Sequence, residues 1–201
     1  MRQKFDPKVF QLGYVALGTP DIERTKRHYL NNLGMTEVAR EGDGSVYLSM
    51  GYHHHDLVLR PAAQKTLLNV GFQLKPHITV GDFARDVRAG LSAAVKTDRQ
   101  PGVSDVVEVD LPGGLAIEFY SAIETPVPGF RNTGASPFRP GHLAIMNPEG
   151  DKVIAFFKNF LGFVLTDDIA GIANFLTCNR EHHVVNLVKA PNLGSTTSPS
   201  S

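Results

Sequence analysis

The chain has 201 residues, 42% hydrophobic and 20% charged, which suits one or two compact domains and excludes a disordered, collagen-like or disulfide-stapled protein. Lysine plus arginine and aspartate plus glutamate both number 20, with no run of four basic residues and no apolar stretch near the roughly 18 residues of a membrane span, so neither a nucleic acid nor a membrane is an expected partner. The single cysteine, Cys178, and an N-terminus without an apolar core make the cytoplasm the expected compartment.

In chain order, an apolar strand over 14–17 leads through Pro20-Asp21 into a helix whose Ile22, Tyr29, Leu30 and Leu33 share one face. That helix is predicted to stop at Leu33-Gly34, since glycine readily takes the left-handed conformation that closes helices. Two or three strands follow, the last over 55–59. Next come a strand over 69–74, a helix over 80–91 with Val80, Phe83, Val87 and Leu91 on one face, and strands over 106–109 and 115–120 around the turn Leu111-Pro-Gly-Gly114. Residues 124–140, rich in Pro, Gly, Ser and Asn, read as a linker. Beyond it lie a strand over 142–145 and a helix with Val153, Phe156, Phe157 and Phe160 on one face, ending at Leu161-Gly162. A last strand is expected over 183–187, then a loose tail.

The first and last of these segments are copies. An offset of 128 residues lays 13–62 over 141–190 without a gap. It matches Gly13 with Gly141, Ala16 with Ala144, Pro20 with Pro148, Gly34 with Gly162, Leu48 with Leu176 and His55 with His183. The middle segment has the same order of elements. The expected fold class is therefore α+β, with tandem βαβββ modules: a complete pair in 1–123, a linker at 124–140, a third module at 141–191 and a disordered tail at 192–201.

Paired βαβββ units, a histidine on the opening strand, a Leu-Gly helix end and the segment Pro112-Gly-Gly-Leu-Ala-Ile-Glu-Phe-Tyr120 resemble the vicinal oxygen chelate superfamily of glyoxalases, bleomycin resistance proteins and dioxygenases. Within it the chain is more similar to the type I extradiol ring-cleavage dioxygenases of aromatic catabolism, which carry four such modules and hold their metal in the C-terminal pair. The resemblance implies an oxidoreductase that opens a small aromatic diol with O2 at mononuclear non-haem Fe(II), with Mn(II) as the other candidate, since the two share nitrogen and oxygen preferences.

The resemblance assigns roles residue by residue. Arg139-Pro-Gly-His-Leu-Ala-Ile145 matches the strand whose histidine binds the metal, which makes His142 a metal ligand. Asn179-Arg-Glu-His-His-Val-Val185 matches the histidine that moves the substrate proton, making His183 the catalytic acid/base, a role suited to an imidazole that titrates near neutrality. Strict alternation puts His183, Val185 and Leu187 on one face, so that only one of His182 and His183 points inward. Ala144 and Phe175 match substrate-binding wall positions, with plain core filling as the other reading. In the N-terminal pair Tyr14 and Gly71 stand where ligand histidines would, leaving Glu118 alone and the pair metal-free. His53-His54-His55, alternating along a strand, cannot converge on one ion and read as a solvated or turn-proximal cluster.

The repeat places a fourth-module ligand histidine near position 199, which is proline, and a ligand glutamate about 45 residues past the last residue, so the chain reads as a C-terminally shortened dioxygenase. The third module is then expected to expose Leu143, Ile145, Phe175 and Val185 or their neighbours, favouring a homo-oligomer. Two alternatives stand beside this reading. One is a non-catalytic protein of the same fold, inactive because the fourth module is absent; the other is a second metal enzyme of the superfamily, such as a glyoxalase, for which the complete pair offers only Glu118.

Overall fold

A computed structural model of the chain describes residues 5–90, 95–125, 134–135 and 137–189. Leu91 of the expected second helix, residues 126–133 and 136 of the linker, and the tail over 192–201 lie outside the described residues. The chain forms two compact units, one spanning Lys8–Gly141 and the other running from His142 together with the segment that ends at Pro7.

The first unit holds two βαβββ modules. β1 (Val9–Thr19), α1 (Ile22–Leu33), β2 (Thr36–Arg40), β3 (Val46–Ser49) and β4 (Leu57–Pro61) make one. β5 (Thr66–Leu74), α2 (Val80–Gly90), β6 (Val95–Gln100), β7 (Val103–Leu111) and β8 (Leu115–Tyr120) make the other. Their strands join in one sheet of order β2-β3-β4-β1-β5-β8-β7-β6. The opening strands β1 and β5 pair antiparallel at its centre, and each is also parallel to the last strand of its own module. The second half of the order thus repeats the first in reverse.

Local signals explain the helices. The Asp21 carboxylate accepts the Arg24 N–H at 2.9 Å and caps α1, while Gly34, at φ +69°, closes it by donating its N–H to the Tyr29 carbonyl. The predicted face of α1 is the one that packs: Ile22, Tyr29, Leu30 and Leu33 lie against Met35, Val46, Leu48, Leu57 and Leu59. In α2 the buried residues are Phe83, Ala84 and Val87, and the Phe83 ring lies 4.5 Å from that of Phe119. β6 was not expected from the sequence. Its Val-Lys-Thr-Asp-Arg-Gln carries no apolar alternation, yet it pairs antiparallel with β7.

The second unit is one more βαβββ module. β9 (Leu143–Asn147), α3 (Gly150–Ala155) continued by a π-helical turn (Phe156–Phe160), β10 (Val164–Ile169), β11 (Ala173–Thr177) and β12 (Val185–Lys189) form a sheet of order β10-β11-β12-β9. This is the order of the first module, with β9 at the edge where β1 has β5 beside it. Gly162, at φ +77°, ends the helical segment as Gly34 does. Val153, Phe156 and Phe157 are buried, with the Phe157 ring edge-on to Phe163 at 5.0 Å.

The exposed face of this module differs from expectation. Ile145 and Val185 are buried, because α3 packs against β9 and β12 on the side these residues occupy. Leu143 is half-buried, and the side turned to solvent carries Ala144 and Met146, the latter 70% exposed, with half-buried Phe175. Among the described residues no helix is long and apolar enough to cross a membrane.

Candidate active site

His142 stands exposed at the entry of β9, and Ala144, two residues on, shares its face. Because β9 is parallel to β12 and β12 antiparallel to β11, Ala144, Asn186 and Phe175 form one cross-strand row. His183 lies in the bend that leads into β12. Val184 and Val185 are buried in succession, which breaks the alternation, so His183 does not share the face of Val185 and Leu187. Its ring instead sits 4.6 Å from that of His142 and 4.9 Å, edge-on, from that of Phe175. All four residues singled out in the sequence therefore converge on one face of the four-stranded sheet.

The bend is held from both sides. The Thr166 hydroxyl donates to the His182 carbonyl at 2.7 Å, and Asn179 Oδ1 accepts the Glu181 N–H at 2.8 Å. His182 is exposed, with its Nδ1 3.0 Å from that of His183, so one nitrogen carries the hydrogen that the other accepts. Its ring also approaches Phe175, at 5.9 Å, so the two histidines are not turned to opposite sides. Burial, and then the neighbouring His142 and His182, push the His183 pKa below the usual imidazole value and favour its neutral, proton-accepting form.

The first unit contains a buried counterpart. Tyr14, at the position of His142 in the repeat, lies 4.7 Å from the ring of His55, the counterpart of His183. Glu118 is not alone: its carboxylate accepts the Tyr14 hydroxyl at 2.5 Å, the Gln100 amide at 2.8 Å and the Asn69 amide at 2.9 Å. Burial raises the Glu118 pKa while the Tyr14 and Gln100 bonds oppose the rise, and burial followed by the Glu118 charge raises that of Tyr14, which stays a neutral donor. Sequence reasoning did not find Gln100, Asn69 and His55 as members of this cluster; for His55 the repeat itself was the usable signal.

The three consecutive histidines sit in the loop before β4, not on a strand, and two of them are buried rather than solvated. His53 Nδ1 lies 3.1 Å from Asp56 Oδ1, and burial, then the His54 and His53 charges, push His55 down to about 3. A cleft of about 670 Å³ between the end of β1 and α1 is lined by Thr19, Arg24, His28 and Lys65 and contains none of the predicted site residues.

Among the described residues no three His, Cys, Asp or Glu side chains gather in a way that could hold a metal ion. His142 offers one imidazole, so the residues described do not by themselves fit mononuclear iron or manganese, which needs further protein ligands.

No protein-family model matches the chain. Its sequence is 23% identical over 177 residues to a manganese-dependent 2,3-dihydroxybiphenyl 1,2-dioxygenase of Geobacillus genomosp. 3, covering 81% of the chain and 56% of that protein. It is 24% identical over 199 residues to a biphenyl-2,3-diol 1,2-dioxygenase of Paraburkholderia xenovorans (strain LB400), covering 90% of the chain and 66% of that protein. The chain thus spans about three fifths of the length of these relatives. Among solved structures, a 2,3-dioxygenase from Pseudomonas sp. KL28 superposes with a TM-score of 0.81 at 22% identity, over 92% of this chain and 72% of that one. A Mn(II)-bound glyoxalase from Novosphingobium aromaticivorans superposes at 0.78, also at 22% identity, over 92% and 64%. The fold is that of the vicinal oxygen chelate proteins, and the sequence relatives are extradiol dioxygenases.

Proposed function

We propose that residues 142–189 form one half of an extradiol ring-cleaving dioxygenase site for a catechol-type substrate and O2, and that residues 8–123 are a metal-free structural pair. The observation that carries this reading is the convergence of His142, His183, Phe175 and Ala144 on one face, with His183 held next to the proposed ligand and biased toward its neutral form. In this reading His142 is one metal ligand, and the others come from a further βαβββ unit beside the edge of β9 that has no partner strand among the described residues, as β5 lies beside β1. The metal is Fe(II) or Mn(II), the latter supported by the manganese dependence named for one relative. His183 takes a proton from the substrate hydroxyl, Phe175 packs against the aromatic ring, and Ala144 leaves room beside it. The sequence relatives favour ring cleavage over the glyoxalase reading. The cytoplasm is the compartment that suits this chemistry.

Two measurements test the proposal. Reading the coding DNA past codon 201 in all frames should reveal a histidine, then a Pro-x-Gly turn followed by Glu-Phe/Leu-Tyr. In the protein carrying that segment, O2 uptake with 2,3-dihydroxybiphenyl or catechol should fall by about a hundredfold or more in His183→Ala. A purified protein that takes up no iron or manganese and consumes no O2 with either diol would instead establish the non-catalytic reading.

A further inference from the structure

The cleft of about 670 Å³ between the end of β1 and α1 is large enough for a small organic molecule. Two residues of its wall, Leu17 and Tyr29, pack with Met35, Leu48 and Leu59 on the α1 side of the sheet, whereas Tyr14 packs with Ala16, Tyr47 and Val58. The cleft therefore opens on the face of the sheet opposite Tyr14 and the Glu118 carboxylate it meets.

The repeat shows that the fold does not require this opening. At the offset of 128, Thr25 and His28 stand where the third module has Val153 and Phe156. Those two are buried, so there the same stretch of helix closes over its sheet with apolar side chains. In α1 their places are taken by a hydroxyl, bonded to Thr19 Oγ1 at 2.8 Å, and by an exposed imidazole. An apolar floor of half-buried Leu17 and Tyr29 is left beneath a polar rim.

That rim is positively charged and uncommitted. Arg24 and Lys65 are exposed, and among the described residues neither side chain has an ion pair or a hydrogen bond. The neighbouring cations differ: Lys26 is paired with Glu37 and Arg40 with Glu23. The carboxylate in the rim, Asp21, already accepts the Arg24 N–H as the cap of α1, so the lining keeps one net positive charge made of side chains. His28 Nδ1 lies 3.0 Å from the Asn32 amide nitrogen, which can only donate, so in the neutral ring the hydrogen sits on Nε2.

We propose that this cleft binds a small organic monocarboxylate with an apolar body. The body covers Leu17 and Tyr29, and the carboxylate is held by Arg24 and Lys65 with His28 Nε2–H as a neutral donor. A bare inorganic anion would leave the floor wet, and a neutral molecule would leave both cations unmatched. The site lies within the first unit and holds whether or not His142 binds a metal.

The test titrates the full chain with cinnamate, following backbone amide resonances by NMR. Shifts should concentrate at residues 17–29 and 65–66. The uncharged isostere cinnamamide and inorganic phosphate should each bind about tenfold more weakly than cinnamate, and Arg24→Gln with Lys65→Gln should weaken cinnamate to the same degree. Both residues are exposed and unpaired, so that variant keeps its fold, which circular dichroism checks. Thr25→Val with His28→Phe installs the side chains of the third module and should close the cleft and abolish binding. The proposal is overturned by no binding at millimolar cinnamate, by shifts confined to residues 142–189, by cinnamamide or phosphate binding as tightly as cinnamate, or by an affinity that Arg24→Gln with Lys65→Gln leaves unchanged.

Discussion

Replacing Tyr14 by phenylalanine removes one oxygen atom and leaves the ring, so it takes away the bond donated to Glu118 together with the one accepted from the Gln100 amide at 3.0 Å, and that amide keeps the carboxylate as its partner. Both groups are buried, and the carboxylate keeps two other donors, Gln100 and Asn69, at 2.8 and 2.9 Å. No charge is therefore stranded, and the expected loss is that of a hydrogen bond to a charged acceptor, about 1.5–3 kcal/mol at pH 7.5. The Tyr14 bond lowers the Glu118 pKa, so its removal lets burial raise that pKa further. A carboxyl raised in the folded state contributes its full stability below the unfolded value and loses it as pH rises through the folded one. The Tyr14→Phe penalty should accordingly shrink toward the neutral-bond range of about 0.5–1.5 kcal/mol as the medium is acidified. The chain has no tryptophan and the substitution removes a tyrosine, so urea unfolding is best followed by far-UV circular dichroism. A double-mutant cycle with Glu118→Gln reports the coupling. A Tyr14→Phe cost that is unchanged by Glu118→Gln, or that grows on acidification, would refute this account.

His55 should make the first unit acid-sensitive. Its pKa is pushed from 6.5 to about 3, so between these values the unfolded chain binds a proton that the folded one refuses; stability is full above about 6.5 and is lost as pH falls, by up to about 1.4 kcal/mol per pH unit. Urea midpoints between pH 7 and 5 should fall less steeply in His55→Phe, and parallel slopes would contradict this. In the second unit, Phe157→Ala removes a fully buried ring packed on Phe163 and should cost about 3–5 kcal/mol, read as loss of protection from amide hydrogen exchange in β9 and β12.

The repeat at 128 residues made the modules and the glycine helix ends at 34 and 162 legible before any coordinates, whereas His142 and His183 were brought together only by the family resemblance. The modules and helix ends depend on local pattern, and a duplicated pattern folds twice in the same way. What the pattern could not carry was pairing. β6 is polar beyond its first residue, Val95, and shows no apolar alternation; what marks it as a strand is its pairing with β7. Ile145 and Val185 turn to the helix, and His183 away from it, because two successive buried valines shift the register of faces at one bend. Tyr14 and Glu118 are 104 residues apart, and their bond exists because β1, β5 and β8 are neighbours in the sheet. Composition and periodicity determine which elements form and which face each buries; which buried groups meet is decided by strand order, a property of the assembled sheet that no single segment contains.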